Sequence, residues 1–287
     1  ILNFYRGRDF HYAWINKDGL TEQAGNFINM MKNDAAYGIG DSSLIPLALD
    51  TLLASDSTVK PGNISATNIE LLLTSQFFAY GNKVWGGLTT DSAKDLEWYI
   101  PRKKVDMESL LDSLVLKPAT AFEEAEPVNR QYRLLKQQLK RLAGIDSTHL
   151  WDTTRMKQKA LKKGDSVLVF NFRLMLIGPM VISEVKYKLE ALGDLPVNDS
   201  SNVFNAALDT ALRNFQDRMG MKTDGILNQS VLNALNVSPK QRIQKILVNM
   251  ERLRWVPIDP TSDHIVVNIP QFKMMVYDSG RLDWSSN

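Results

Sequence analysis

Cysteine is absent from all 287 residues. That excludes disulfides, thiolate metal sites and thiol nucleophiles within the chain, and it leaves the compartment open. Histidine is scarce. His11, His149 and His264 stand far apart and show no ligand spacing, so no metal site is expected. Excess charge of one sign is missing as well: the formal net charge is +2, which leaves no electrostatic footprint for nucleic acid. No apolar run approaches the ~18 residues that suggest a membrane span. Gly86-Gly87 is not followed by the Lys-Ser/Thr of a phosphate-binding loop, and no G-x-S-x-G elbow occurs. No cofactor is expected. The chain opens at Ile1 in structured-looking sequence, with neither an initiator Met nor a signal peptide. It is therefore expected to be a piece of a longer protein.

What remains is an ordinary globular composition, 44% apolar and 23% charged, long enough for about two domains with their own cores. Aromatics crowd the start, from Phe4-Tyr5 to Trp14. Thr21 then predicts a cap for a helix carrying Ala24, Phe27, Ile28 and Met31 on one face. Further helices are expected over Leu47–Ala54 and over Ile69–Tyr80. The latter has Asn68 as cap and is apolar on two sides, as in a helix buried within a bundle. Lys83–Gly87 reads as a breaker, and Glu97–Pro101 as extended. Met107–Val115 is a short helix that ends before Lys117-Pro118. Pro127 suits a first helical turn, followed by a long amphipathic helix through Val128, Tyr132, Leu135, Leu139 and Leu142 to Gly144. Its Arg130, Arg133, Lys136, Lys140 and Arg141, and the nearby Glu123, Glu124 and Glu126, read as solvated surface. Residues 146–163 are polar and read as a linker. Val167–Ile182 is unusually apolar, interrupted by Gly178-Pro179, and fits a buried strand and turn or a packed insertion.

Three short helices fit Ser183–Asn236. Ser183 caps the first, Val185, Leu189 and Leu192 form its apolar face, and Gly193 ends it. Leu208, Ala211, Leu212, Phe215 and Met219 give the second, stopped by Gly220. Asp224-Gly225 turns the chain into the third, with Val231, Leu232 and Leu235 buried and Asn236 as its close. Ser238-Pro239 opens a further helix with an apolar stripe at Ile243, Ile246, Leu247, Met250 and Leu253. From His264 the period changes to two: Ile265, Val267 and Ile269, then Phe272, Met274 and Val276, with Asp278-Ser279-Gly280 as a hairpin turn.

The order Leu189, Leu192-Gly193, Phe215-Gln216, Gly220, Asp224-Gly225 and Leu232, Ala234-Leu235-Asn236 resembles the three-helix peptidoglycan-binding module of cell-wall enzymes. A plain helical connector is the alternative for this stretch alone. Phe4-Tyr5, Arg8, Phe10, Ala13-Trp14 and Gly19-Leu20, with Leu71-Leu72-Leu73-Thr74, resemble the scaffold domain of large L,D-transpeptidases. Asn249–Trp255 and the hairpin from Val267-Asn268-Ile269-Pro270 resemble the connection to the catalytic β-domain of that family and its opening strands. The resemblance implies a mainly α chain: a helical scaffold domain over 1–145, a linker and peptidoglycan-binding-like module over 146–237, and a connecting helix with the first hairpin of a truncated catalytic domain over 238–287. The motif residues carried over are Leu192, Gly193, Phe215, Gln216, Gly220, Asp224, Gly225 and Leu235, mostly fold-making. The partner implied is peptidoglycan, and the place is the bacterial envelope, reached by export to the periplasm.

L,D-transpeptidases acylate a cysteine with one wall stem peptide and pass the acyl group to an amine of another. The family site is a His-Gly motif followed by Ser/Thr-x-Gly-Cys. Here the three histidines precede Tyr12, Leu150 and Ile265, so no catalytic residue is carried over. The implied function is the non-catalytic part of such an enzyme, which holds and positions the catalytic domain on the wall. A non-catalytic wall-binding protein, or the binding portion of a wall hydrolase, is the alternative.

Overall fold

The first long helix of the computed structural model starts where a side chain takes up a free backbone N–H. Thr21 is extended, and its Oγ1 accepts from the Ala24 amide at 3.2 Å. The structure describes residues 1–40, 61–62, 64–87, 94–95, 97, 104–117, 125–145, 151, 154–156, 160–163, 168–171, 180–196, 203–256, 263–269 and 272–286. The expected helix Leu47–Ala54, the residues Trp98–Pro101, Pro118, Glu123 and Glu124, and the Gly178-Pro179 turn lie outside them. The fold is mainly α. It divides into two units, Ile1–Gln137 with Leu247–Asp263, and Gln138–Ile246 with His264–Asn287.

The first unit contains α1 (Leu2–Gly7), a small hairpin of β1 (Ile15–Asn16) and β2 (Gly19–Leu20), α2 (Glu22–Ala36), α3 (Ile64–Tyr80) and α4 (Met107–Leu116). It also holds the start of α5 (Arg130–Ala143) and the end of α9 (Pro239–Leu253). Its core is aromatic. Trp14 stacks on Phe27 at 5.5 Å, Phe27 meets Tyr80 edge-on at 5.8 Å, and Tyr80 meets Trp85 edge-on at 5.3 Å. Such offset and edge contacts add about 0.5–1.5 kcal/mol each beyond area burial. The opening aromatics Phe4, Tyr5 and Trp14 are buried, while Phe10 is exposed.

Several expectations are corrected here. Helix α3 begins at Ile64, so Asn68 lies inside it and caps nothing. The helix buries one face, through Ala66, Ile69, Leu73, Phe77 and Tyr80, while Leu71 is exposed. The segment Lys83–Gly87 does not break the chain at once. Helix α3 runs on as a wide π turn over Gly81–Trp85 that buries Val84 and Trp85. The start of α5 is set by Asn129, whose Oδ1 accepts from the Tyr132 amide at 2.9 Å, rather than by Pro127. Glu126 and Lys136 are not solvated surface: they are 4% and 6% exposed. Lys136 Nζ donates to Glu126 Oε1 at 2.7 Å and to Asp34 Oδ2 at 2.9 Å, and Tyr80 donates to the same Asp34 oxygen at 2.5 Å. Burial pulls the lysine down, but the two carboxylates outweigh it and hold Lys136 above the ordinary lysine range. Sequence distance hid this cluster, since Asp34 and Lys136 are brought together only by tertiary packing.

A second buried carboxylate, Glu70, ties α3 to the chain start. It accepts from the amides of Ala13 at 2.6 Å and Trp14 at 3.0 Å, and from Tyr5 Oη at 2.8 Å. Burial pushes its carboxyl up against these bonds.

The second unit holds β3 (Thr154–Met156), β4 (Ala160–Leu161), β5 (Leu168–Asn171), β6 (Met180–Val181), α6 (Ile182–Leu192), α7 (Ala206–Arg218), β7 (Leu227–Asn228) and α8 (Gln229–Leu235). The supposed linker 146–163 is thus partly paired. β3 joins β5, β5 joins β6, and β4 joins β7, all antiparallel. The apolar stretch after Val167 supplies the β5–β6 pair. Helix α6 starts at Ile182, directly from β6, so Ser183 is not its cap. Helix α9 opens with a capping box: Ser238 Oγ accepts from the Gln241 amide at 3.3 Å, and Gln241 Oε1 accepts from the Ser238 amide at 3.0 Å.

The chain closes with an antiparallel meander of β8 (His264–Asn268), β9 (Lys273–Asp278) and β10 (Arg281–Ser286), in sheet order β10-β9-β8. Ile265, Val267, Ile269, Leu282 and Trp284 are exposed, and Phe272 is 83% exposed.

Candidate functional site

The three helices α6, α7 and α8 owe their positions to one apolar cluster. Val185, Leu189 and Leu192 from α6, Leu208, Ala211, Leu212 and Phe215 from α7, and Val231, Leu232 and Leu235 from α8 are all buried in it. Asn205 caps α7 through the Leu208 amide at 3.0 Å, and Asn228 caps α8 through the Val231 amide at 3.0 Å. Helices α6 and α7 both stop in the same way. Gly193 (φ +84) donates to Glu190 O at 2.9 Å while Asp194 donates to Leu189 O at 2.8 Å. Gly220 (φ +65) donates to Asp217 O at 3.0 Å while Met221 donates to Gln216 O at 2.8 Å. These are Schellman closures, and the left-handed backbone at their turning residue favours glycine.

The Phe-Gln and Asp-Gly pairs meet in space. Phe215 points into the core, and its neighbour Gln216, also buried, faces the loop after α7. Gln216 Nε2 donates to Asp224 Oδ1 at 3.0 Å and to Ile226 O at 3.1 Å, and its Oε1 accepts from the Gly225 amide at 2.8 Å. Asp224 Oδ1 also accepts from the Ile226 amide at 3.0 Å. That amide bond, offset in part by desolvation, holds the Asp224 carboxyl below its usual range. One amide side chain therefore replaces several backbone partners for a loop that has no ladder of its own. Gln216→Leu keeps the volume and removes all three bonds. It should cost about 2–3 kcal/mol, because the Gly225 amide stays buried without its acceptor. Urea denaturation of the variant, read against the wild type, checks this.

A second clamp involves Asn236. It closes α8 with its backbone, while its side chain accepts from the Thr154 amide at 3.0 Å and donates to Thr154 O at 2.8 Å. Lys188 is fully buried and donates to Thr154 Oγ1 at 2.7 Å and Asn236 Oδ1 at 2.9 Å, with its ammonium 5.5 Å from the Trp151 ring. The Trp151 indole donates to Leu235 O at 2.9 Å.

The structure therefore places the eight singled-out residues in two groups. Leu192, Phe215 and Leu235 are core, and Gly193, Gly220, Gly225, Gln216 and Asp224 build turns and the loop clamp. None carries a hydroxyl, thiol or amine. Sequence reading missed Thr154, Trp151 and Lys188. A lysine on a short helix gives no sign that it is buried, because its partners sit on strand β3 and after α8. Among the described residues no cluster of three His, Asp or Glu side chains is placed to hold a metal ion. No described helix is long and apolar enough to cross a membrane.

Residues 1–139 match the family model described as a scaffold domain, and residues 181–235 match that described as a putative peptidoglycan binding domain. No curated protein matches the chain. The two matches support a wall-associated protein with a wall-binding role.

Proposed function

We propose that this chain is the non-catalytic portion of a periplasmic L,D-transpeptidase, and that it anchors and orients a cysteine-dependent catalytic domain on peptidoglycan. The domain assignment that goes with this reading is a scaffold over 1–145, a linker and wall-binding module over 146–237, and a connecting helix with opening strands over 238–287. The observation that carries it is the order of parts. A scaffold match is followed by a peptidoglycan-binding match, then a helix, then a β-meander whose apolar residues are exposed. A wall hydrolase that borrows the module has no evident use for that meander.

The chemistry needs a thiolate to take up the acyl group and an imidazole to activate it. The 287 residues contain no cysteine, so the reaction requires residues outside them. Reading the coding sequence beyond Asn287 tests the assignment. A His-Gly motif followed by Ser/Thr-x-Gly-Cys is expected, and the protein carrying it should gain the mass of one stem-peptide acyl group at that cysteine. A zinc-type His/Asp set there, or a stop codon with no cysteine motif, contradicts the transpeptidase reading.

A further inference from the structure

The C-terminal end of α6 gathers cations. The Arg141 guanidinium, on an exposed residue, lies against Gly193, where an added Cβ would collide with it. One residue on, Asp194 is buried and takes a bidentate pair from Arg218: Nε donates to Oδ1 at 3.2 Å and Nη2 to Oδ2 at 2.5 Å. Arg242 sits within the field of both. Its guanidinium donates to Val237 O at 3.1 Å and Ala234 O at 2.5 Å, at the end of α8. One guanidinium, that of Arg218, thus holds the carboxylate, Arg141 lies against the residue beside it, and Arg242 feels the charge of both Arg218 and Asp194.

Arg242 is pushed down to about 10, first by desolvation and then by the repulsion of Arg218, with Asp194 offsetting only part. Arg218 is fixed in place by Asp194, yet its side chain is 43% exposed. A bidentate pair uses two of the five guanidinium N–H donors, so the outer edge of Arg218 stays available in a preset orientation. That is the arrangement expected of a receptor for a planar anion: one arginine oriented from behind by a buried carboxylate, with two further cations raising the local potential.

We infer that Arg218, oriented by Asp194, forms with Arg141 and Arg242 a carboxylate-binding subsite at the edge of the module, and that its ligand is a free carboxylate on a peptidoglycan stem peptide. This rests on the wall-binding reading and adds to it the group that is recognised. The core and clamp residues of the module leave that group unassigned, because they are turned inward.

The test titrates the full 287-residue chain with a soluble stem peptide bearing free carboxylates, and with the same peptide amidated, by calorimetry at two salt concentrations. The free acid should bind and weaken as salt rises, and the amidated peptide should bind at least about tenfold less tightly. Arg141→Gln removes an exposed side chain that closes no core and should weaken the free acid about fivefold. Equal affinity for the two peptides, or an unchanged affinity in folded Arg141→Gln, overturns the inference. Inorganic phosphate at matched ionic strength that competes as well as the peptide overturns the carboxylate assignment. A chain that sediments with insoluble peptidoglycan but ignores the soluble acid loses this subsite and keeps its wall-binding role. A chain that does neither loses both.

Discussion

Lys136→Met should destabilise the first unit by about 3–5 kcal/mol at neutral pH. The lysine bridges Asp34 and Glu126 inside the protein, and its removal leaves two buried carboxylates without their cation. The sign of the pH dependence follows from which state holds the proton. Burial already pushes the Glu126 carboxyl up, and without Lys136 it moves further above the unfolded value of about 4.3. The native variant then binds more protons than the unfolded chain, so its stability falls as pH rises. The deficit against wild type should be smallest near pH 4.5 and reach its full size by pH 7.5. In the wild type, Lys136 is held above the ordinary lysine range, so its contribution is complete below about pH 10 and is lost only as pH climbs past it. Urea denaturation of both proteins at the two pH values gives the comparison. A deficit under about 1 kcal/mol, or one that does not change with pH, would show that the cluster is hydrated and carries little.

Phe215→Ser should be equally severe, about 3–5 kcal/mol, and confined to the second unit. The ring is fully buried among the leucines of α6, α7 and α8. Serine removes the ring, leaves a cavity and puts a hydroxyl where no partner waits. Because Gln216 is the next residue, movement of α7 also loosens the loop clamp at Gly225. Differential scanning calorimetry should show the transition of the second unit shifted down while the other is nearly unmoved. Two transitions displaced together would mean that the units unfold as one.

Much of this structure was readable before the coordinates because local chemistry decided it. Thr21, Ser238, Gly193 and Gly220 mark helix ends through bonds to residues three or four positions away, and the spacing of Leu208, Leu212 and Phe215 can only face one way on a helix. The misreadings have a different origin. Glu126 and Lys136 look like surface residues until Asp34 and Tyr80 arrive from other helices. The strands Thr154–Met156 and Ala160–Leu161 are too short for alternation to show, and their partners lie beyond Val167. Helix α6 grows straight out of a strand, so its start carries no capping side chain and Ser183 misled. The candidate site divides along the same line. The family-like residues and their mostly fold-making role were visible, but the bonds by which Gln216 holds Asp224 and Gly225 were not, and Arg141, Arg218 and Arg242 come from three separate helices, so no local spacing joins them.

The most direct measurement is sedimentation of the folded 287-residue chain with insoluble purified peptidoglycan, with Phe215→Ser, checked for its fold, run beside it. Wall binding predicts that the wild-type chain moves to the pellet and that the variant, with its second unit unfolded, stays in solution. A wild-type chain that remains folded and stays in the supernatant contradicts it, and would make the three-helix module a spacer.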